Sequence, residues 1–171
     1  DARQALERRQ DPFYATLGER CYVISRDGDQ SVLDDLGLTF AANLDGADFV
    51  FVIGIDSPRR RLADYETLLT DAVARGLPMI CANPDIVVER GEHLVYCAGA
   101  IADRYAAKGG DVTYAGKPYR PIYDQAMAAA AKARGRDTAP ERVLAIGDSV
   151  RTDLKGSAAF GIDCLFVTAG I

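Results

Sequence analysis

The sequence predicts an α/β protein built on a parallel β-sheet. Apolar, strand-like runs alternate with helical patterns from one end of the chain to the other. This alternation is typical of parallel sheets whose strands are connected by helices. The strand-like runs are C-Y-V-I-S at 21, D-F-V-F-V-I-G at 48, P-M-I-C-A at 78, V-T-Y-A at 112, V-L-A-I-G at 143 and C-L-F-V-T at 164.

The helices between these runs have readable ends. Asp11 followed by Pro12 predicts one helix start, and Ser57 followed by Pro58 predicts another, while Gly76 and Gly135 predict helix ends. The helix after Ser57 has apolar residues mostly three and four positions apart, which predicts one face buried against the sheet. This stripe consists of Leu62, Tyr65, Leu69, Ala72 and Val73.

Composition excludes several classes of protein. The chain has 171 residues, of which 49% are hydrophobic, so it is large enough to bury a core. No apolar run approaches the ~20 residues that span a bilayer, and the first ten residues are a charged helical pattern rather than a secretory signal. We therefore expect a cytoplasmic protein with no membrane partner. The net charge of −5 argues against nucleic acid as a partner, and the one basic run is Arg59, Arg60 and Arg61.

The four cysteines predict buried, reduced thiols. Cys21, Cys81, Cys97 and Cys164 mostly border apolar runs, and no C-x-x-C pair is present. With a single histidine in the chain, the sequence offers no zinc-type ligand set.

The two glycines at Gly109 and Gly110 predict a domain boundary. They follow a helical run and precede the strand that leads to Lys117, so they offer a flexible break. The predicted domains are residues 1–110 and residues 111–171.

The segment V-L-A-I-G-D-S-V-R-T-D, residues 143–153, carries the most chemistry. Ligands of open parallel sheets bind outside the carboxyl ends of the strands, where Asp148 is expected, with Asp153 on the opening turn of the next helix. Mg²⁺ takes one or two protein carboxylates and fills its coordination with water and substrate phosphate, so this pair suits phosphoryl chemistry. The alternative is that Asp148 merely caps the following helix.

Lys117, in A-G-K-P-Y-R-P-I-Y, has a use beside such a pair. A phosphate near a carboxylate concentrates negative charge, and a fixed ammonium offsets that charge before and during transfer. The alternative is a surface lysine in a turn. The order of the motifs favours chemistry, because G-K-P, a helix, a strand with G-D-x-x-x-x-D and a strand with T-A-G form a rarer arrangement than any single part.

These motifs resemble the haloacid dehalogenase (HAD) superfamily, specifically its class IIA, NagD-like branch. The resemblance covers nearly the whole chain and implies a partial, Rossmann-like core of parallel strands at 111–171 with an inserted α/β cap domain at 1–110. It also implies Mg²⁺ dependence and hydrolysis of small phosphomonoesters through an aspartyl-phosphate. The matching segments are C-A-N-P-D at 81–85, C-A-G-A-I-A at 97–102, G-K-P at 116–118, G-D-S-V-R-T-D at 147–153 and G-I-D-C-L-F-V-T-A-G-I at 161–171.

The resemblance also assigns roles to individual residues. Lys117 would hold the phosphate and the nucleophile as a catalytic and substrate-binding residue. Asp148 would bind Mg²⁺, and Asp153 would support the metal directly or through water. Asn83 and Asp85 match the N-P-D element of the cap, which tends to face the substrate. The implied partner is a small phosphorylated metabolite, and the cap helix at 61–75 offers a surface for a homodimer.

The nucleophile motif of the family, D-x-D-G-[T/V], has no convincing match here. Asp27 and Asp29 give D-x-D after a strand-like run, but Gln30 stands where the motif needs glycine, and a turn with Asp29 as a helix cap explains the same residues. Asp56 in V-I-G-I-D-S-P is a similar decoy. By family order we expect the nucleophile strand to precede residue 1 and further elements to follow residue 171.

The absence of a neighbouring strand has a structural consequence. In the family's sheet the strand that ends at Asp148 lies beside the nucleophile strand. Without that neighbour, we expect Leu144 and Ile146 to present an exposed apolar edge.

Three functions compete at this point. The first is the cap and the C-terminal part of the core of a Mg²⁺-dependent phosphatase, active only as the intact protein. The second is a non-catalytic fragment that binds a ligand or a partner. The third is a phosphoacceptor receiver domain, which ranks last because its lysine should follow the acidic residues, whereas Lys117 precedes Asp148.

Overall fold

The computed structural model describes residues 1–57, 60–90 and 93–168. The chain divides into two compact units: a larger unit of residues 2–114 and a smaller unit that runs from Ala115 onward and includes Asp1. The sequence placed the boundary at 110. The division falls after Tyr114 because the strand Val112–Tyr114 is hydrogen-bonded into the sheet of the larger unit.

The larger unit is a parallel sheet with helical connections and one hairpin. Its strands are β1 (Arg20–Ile24), β2 (Thr39–Phe40), β3 (Phe49–Val52), β4 (Met79–Cys81), β5 (Val87–Arg90), β6 (His93–Tyr96) and β7 (Val112–Tyr114). Its α-helices are α1 (Ala2–Arg8), α2 (Pro12–Thr16), α3 (Glu66–Ala74) and α4 (Ala98–Ala107). Five strands pair in parallel in the order β2-β1-β3-β4-β7, while β5 and β6 form a separate antiparallel hairpin. The predicted α/β class with a parallel sheet is confirmed.

The core of the larger unit surrounds β3. All four of its residues are buried, which explains why its sequence is the unbroken apolar run F-V-F-V rather than an alternating pattern. The predicted stripe packs here: Tyr65, Leu69 and Ala72 are each 1% exposed, and Leu62 and Val73 pack against the same cluster.

Two of the predicted helix ends have the expected chemistry. The Asp11 carboxylate accepts a hydrogen bond from the Phe13 backbone N–H at 2.9 Å, with Pro12 as the first residue of α2. Gly135 ends α5 (Arg120–Arg134) in the left-handed conformation, with φ of 68°. The helix start predicted at Ser57 and Pro58 does not coincide with the start of α3. Pro58 lies outside the described residues, as does Arg59 of the basic run, and α3 begins only at Glu66 after a 3₁₀ turn.

The smaller unit contains a two-stranded parallel sheet. Its elements after α5 are β8 (Leu144–Gly147), a π-helical turn (Val150–Leu154), α6 (Lys155–Phe160) and β9 (Asp163–Phe166). Strand β8 pairs with β9, and no further strand pairs with β8 among the described residues. Leu144 is 56% exposed and Ile146 66% exposed, so the expected exposure of these apolar residues is seen, and it lies on one face of β8 because alternate strand residues point to the same side. Of the segment at 161–171 that carried the resemblance, residues 169–171 lie outside the described part of the chain.

The cysteines behave as the sequence predicts. Cys21, Cys81 and Cys97 are buried and Cys164 is partly buried, all as free thiols. Burial raises the pKa of Cys21 and of Cys81 to about 12, so both thiols are protonated and unreactive near neutral pH. Among the described residues no helix is long and apolar enough to cross a membrane.

Strand β2 and the hairpin β5–β6 were not predicted from the sequence. Strand β2 is only two residues long, too short to produce an alternating pattern. The hairpin gives no clear strand pattern in the sequence. Strand β5 has only the apolar pair V-V and β6 only the apolar triplet L-V-Y, each next to charged residues.

Candidate functional site

The Lys117–Asp153 ion pair is the centre of the candidate site in the smaller unit. The Lys117 ammonium donates a hydrogen bond to Asp153 Oδ1 at 2.6 Å. Lys117 lies in the loop before α5, whereas Asp153 lies in the π-helical turn that follows β8. Two motifs that are far apart in the sequence therefore meet through one contact.

The Asp153 carboxylate is almost fully enclosed. Its side chain is 8% exposed, and its second oxygen accepts a hydrogen bond from the Ser149 backbone N–H at 3.2 Å. Burial by itself would raise the pKa of Asp153. The hydrogen bond from Lys117 and those from the backbone outweigh burial, so the pKa of Asp153 lies below its ordinary value.

Gly147 makes room for this carboxylate. A Cβ atom added at Gly147 would lie 2.2 Å from Cγ of Asp153, far inside van der Waals contact. Glycine is therefore required at the end of β8 so that Asp153 can fold back against the strand. This contact explains the G-D-x-x-x-x-D spacing: the strand ends, the turn reverses and the second carboxylate returns to the strand end.

Asp148 is placed differently from Asp153. It follows β8 directly, is exposed, and its carboxylate makes no hydrogen bond or ion pair with the described residues. The alternative that Asp148 caps the following helix is wrong, since Ser149 is the cap: its Oγ accepts a hydrogen bond from the Thr152 backbone N–H at 3.4 Å. The Asp148 carboxylate is thus left exposed at the end of β8, without a structural partner among the described residues.

The N-P-D element lies in the larger unit, just after the carboxyl end of β4. The Asn83 side-chain oxygen accepts a hydrogen bond from the Asp85 backbone N–H at 3.2 Å, which closes the turn. Gly99, near the start of α4, lies against this turn, and a Cβ there would be 2.2 Å from the Pro84 carbonyl oxygen. The loop is therefore held by its own hydrogen bond and by close contact with α4.

The structure brings the predicted residues together in two groups. Lys117, Asp148 and Asp153 belong to the smaller unit, and Asn83 and Asp85 to the larger one. Within the described ranges, no cluster of three or more His, Cys, Asp or Glu side chains is placed to hold a metal ion.

Two of the three carboxylates that superficially match a nucleophile motif, Asp29 and Asp56, have structural partners. Asp27 lies in a 3₁₀ turn with φ of 52°, and the Asp29 carboxylate accepts a hydrogen bond from the Ser31 backbone N–H at 2.9 Å. Asp56 accepts a hydrogen bond from the Tyr65 hydroxyl and pairs with Arg60 at 3.2 Å. The predicted turn at Asp29 is confirmed, and the prediction that Asp27 and Asp29 are not the nucleophile motif stays a prediction.

The larger unit contains a cavity that was not predicted from the sequence. Its volume is about 220 Å³, and it lies at the carboxyl ends of β1, β3 and β4, next to Ser25, Ile53 and Asn83. Ser25 and Arg26 were not predicted as lining residues, because they follow an apolar strand in a segment whose residues are typical of turns. The signal that was available is the position itself, because ligands of parallel sheets bind at this edge.

Comparisons with a family model and with a solved structure point to the same family. A family model described as HAD-hydrolase-like matches residues 114–171. A crystal structure of a haloacid dehalogenase-like family hydrolase from Brucella suis 1330 is 38% identical, with a TM-score of 0.88, and the match covers 99% of this chain and 64% of that one.

Two further relatives are more distant. The dihydroxyacetone phosphatase of Corynebacterium glutamicum (strain R) is 28% identical over 152 residues, which cover 85% of this chain and 53% of that protein. A glycerol phosphate phosphatase from Mycobacterium tuberculosis, crystallised with magnesium, shares the fold at a TM-score of 0.69 and 24% identity, with 99% of this chain and 47% of that one covered. The chain therefore spans about half to two thirds of the length of these relatives.

Proposed function

This chain belongs to the haloacid dehalogenase superfamily, in its class IIA, NagD-like branch, and we propose that the whole protein is a Mg²⁺-dependent phosphatase of small phosphomonoesters. The observation that carries this proposal is the anchored pair of Lys117 and Asp153 beside the unpaired carboxylate of Asp148. In this proposal they supply one fixed cation and one available oxygen ligand near the end of β8. Phosphoryl transfer needs both.

Lys117 is the catalytic cation of the proposal. Its side chain is half exposed and its Nζ is held at Asp153, so it presents a positioned positive charge rather than a mobile one. A fixed ammonium stabilises the charge that builds on a transferring phosphoryl group without reorganisation at the moment of reaction. Asp153 holds Lys117 in position and is a positioning residue in this arrangement.

Asp148 fits a magnesium ion better than Asp153 does. Both Asp153 oxygens are engaged with hydrogen-bond donors, whereas the Asp148 carboxylate is exposed and available. Asp148 would hold the ion directly, and Asp153 would support it through water. When bound, Mg²⁺ would neutralise charge on the phosphate and polarise its oxygens. The glycerol phosphate phosphatase that shares this fold was crystallised with magnesium.

In this proposal the described residues do not supply the nucleophile. The Asp29 carboxylate accepts a hydrogen bond within its own turn and Asp56 is paired with Arg60 and Tyr65, while Asp27 stands in a motif that lacks the required glycine. We therefore assign the attacking carboxylate and the acid that protonates the leaving oxygen to other segments of the whole protein.

The larger unit is proposed to be the cap and the smaller unit part of the core. In this reading Asn83 and Asp85 contact the part of the substrate beyond the phosphoryl group, and a small phosphorylated metabolite is the partner. The helix at 61–75 would serve a homodimer of the cap. Four free cysteines fit a reducing compartment such as the cytoplasm.

The test is a comparison of Asp148→Asn with wild type in the whole protein. Hydrolysis of a panel of phosphomonoesters is measured against Mg²⁺ concentration, and Mg²⁺ affinity is measured by calorimetry. We expect the variant to lose Mg²⁺-dependent turnover and Mg²⁺ affinity with no loss of folding stability, because the Asp148 carboxylate has no structural contact. Asp137→Asn, an exposed carboxylate of the same unit, is the control. Retained turnover in Asp148→Asn would sink the assignment.

A second function is a non-catalytic module that binds a ligand or a partner. It is favoured by the lack of D-x-D-G in the sequence and by the lack of a three-carboxylate cluster among residues 1–57, 60–90 and 93–168. The same panel separates the two functions, since a binding module would bind phosphomonoesters without turning them over.

A further inference from the structure

The turn that carries Lys117 is held at one end by a carboxylate from a distant part of the chain. The Asp1 side chain accepts a hydrogen bond from the Gly116 backbone N–H at 2.6 Å and another from the Gln125 side-chain amide at 3.2 Å. Asp1 and Gly116 are 115 positions apart in the sequence. Both carboxylate oxygens of Asp1 are therefore engaged within the smaller unit, although Ala2 already belongs to the larger one.

Lys117 lies inside a tight turn. The Tyr119 backbone N–H donates a hydrogen bond to the Gly116 carbonyl oxygen at 3.0 Å, so Lys117 is the second of the four residues of the turn. Gly116 has φ of 100°, a conformation that glycine adopts freely. Because a glycine does not by itself restrict the direction of its N–H, the hydrogen bond to Asp1 fixes the residue that precedes Lys117.

Contacts inside the smaller unit set the position of this turn. The strand before it, β7, belongs to the larger unit. Asp1 contacts the turn at Gly116, and α6 contacts it at Pro118, where a Cβ added at Gly156 would lie 2.9 Å from the Pro118 Cα atom. The Asp1 carboxylate and the start of α6 thus hold the turn on the two sides of Lys117.

A lysine ammonium is fixed only where both ends of its flexible four-carbon stem are held. Asp153 holds the nitrogen end of Lys117 at 2.6 Å, and Asp1 holds the backbone end through Gly116. A displacement of about 1 Å in a catalytic group costs up to about 10²-fold in rate. Loss of the backbone contact is therefore expected to reach the ammonium through the turn.

We propose that Asp1 is a positioning residue for Lys117, which it serves by fixing the turn at residues 116–119 and by tying that turn to α5 through Gln125. The inference rests on the proposed catalytic role of Lys117. The contact is also measurable without turnover, so the failure of this inference and the failure of the proposed function give different results.

The test is a double-mutant cycle of Asp1→Ala and Lys117→Met in the whole protein, with kcat for a phosphomonoester as the readout. Asp1→Ala should lower kcat by about ten- to a hundredfold when Lys117 is present. In Lys117→Met the same substitution should lower the remaining kcat by less than about threefold, because the residue through which Asp1 acts is gone. Asp137→Ala, which removes an exposed carboxylate of the same unit, should leave kcat unchanged.

Asp1→Asn is the conservative variant. Its side-chain oxygen still accepts a hydrogen bond from the Gly116 N–H, and its NH₂ group can donate to the Gln125 side-chain oxygen, so kcat should stay within about threefold of wild type. NMR supplies a readout without turnover. In Asp1→Ala the Gly116 amide should exchange with solvent at least about tenfold faster than in wild type, and the ¹⁵N order parameter of the Lys117 ammonium should fall. Asp1→Asn should resemble wild type in both.

Three results would overturn the proposal: additive losses of kcat in the cycle, an unchanged Lys117 order parameter in Asp1→Ala, or an equal loss of kcat in Asp1→Asn and Asp1→Ala. If the wild-type protein hydrolyses no phosphomonoester, the proposed function fails and the NMR readout alone decides this inference; it also decides if Lys117→Met has no measurable kcat. If Asp1→Ala does not fold, Gln125→Met removes one of the two hydrogen bonds and should give the same changes at smaller size, and no change in that variant would overturn the proposal.

Discussion

The ammonium nitrogen of Lys117 lies 2.6 Å from Oδ1 of Asp153, and this contact joins the two motifs of the smaller unit. The lysine is half exposed, whereas the carboxylate is 8% exposed. The pair is therefore asymmetric: Asp153 needs a partner because it is buried, while the Lys117 side chain remains partly accessible to solvent. A buried carboxylate that loses its cation is left unpaired in a medium of low polarity, which is costly.

Replacement of Lys117 by methionine tests this asymmetry. We expect the free energy of unfolding to fall by about 1–3 kcal/mol, less than for a fully buried pair because Lys117 is half exposed. The pKa of Asp153 should rise, since burial then acts without the ion pair. Urea denaturation and a ¹³C NMR titration of the carboxyl group measure the two effects. Lys132→Met, an exposed lysine on α5, should change neither quantity. An unchanged Asp153 pKa would contradict the prediction.

The pH dependence of stability follows from the same carboxylate. The pKa of Asp153 is lower in the folded chain than in the unfolded chain, where it is about 3.9, so folding is stabilised above that pH and the stabilisation is lost as the pH falls through the folded value. Asp153→Asn removes this contribution. We expect the stability difference between wild type and Asp153→Asn to be largest near neutral pH and to shrink below about pH 4. A difference that stays constant between pH 7 and pH 3 would show that Asp153 is not the titrating group.

Gly147→Ala tests the close approach of β8 and Asp153. The new Cβ would lie 2.2 Å from Cγ of Asp153, so either the carboxylate or the strand must move. Overpacking of this kind costs about 1–3 kcal/mol. The ion pair with Lys117 should lengthen or break, which a crystal structure of the variant would reveal. Gly46→Ala is the matched control, since an added Cβ there meets nothing within 4 Å. Equal stability of the two variants would argue against the contact.

Gly99→Ala tests the anchoring of the N-P-D loop. A Cβ at Gly99 would lie 2.2 Å from the Pro84 carbonyl oxygen, and a backbone atom cannot turn away as a side chain can. We expect a loss of about 2 kcal/mol or more, together with NMR shift changes at Asn83 and Asp85. If only the stability falls and the loop signals stay in place, the loop is not held by this contact.

Ile146→Thr tests the exposed face of the two-stranded sheet. Ile146 is 66% exposed, so a polar side chain there should change the free energy of unfolding by no more than about 0.5 kcal/mol. Binding of a hydrophobic dye and self-association in analytical ultracentrifugation should both decrease. Val52→Thr places a similar change at a fully buried position and should destabilise the chain by about 1–3 kcal/mol. A large loss of stability in Ile146→Thr would mean that this face is covered.

Much of the architecture was accessible from local sequence patterns. Strand β3 is an unbroken apolar run and the stripe from Leu62 to Val73 repeats with the period of a helix, so the strand and the buried face of the helix were both predicted. Asp11 and Gly135 act through local capping chemistry. By contrast, β2 and the β5–β6 hairpin depend on pairing partners, and short strands carry little signal of their own.

The same distinction between local pattern and long-range contact applies to the candidate site. The sequence by itself determined which residues of the smaller unit are candidates for the site, namely Lys117, Asp148 and Asp153, because their motifs carry a recognisable order. Only the tertiary structure decided that Asp153 is enclosed by Lys117 and the backbone while Asp148 is exposed, and that Asp1 is hydrogen-bonded to Gly116. The reason is physical: residue types and spacing are properties of the chain, whereas burial and hydrogen-bond partners are set by contacts between segments that are distant in sequence.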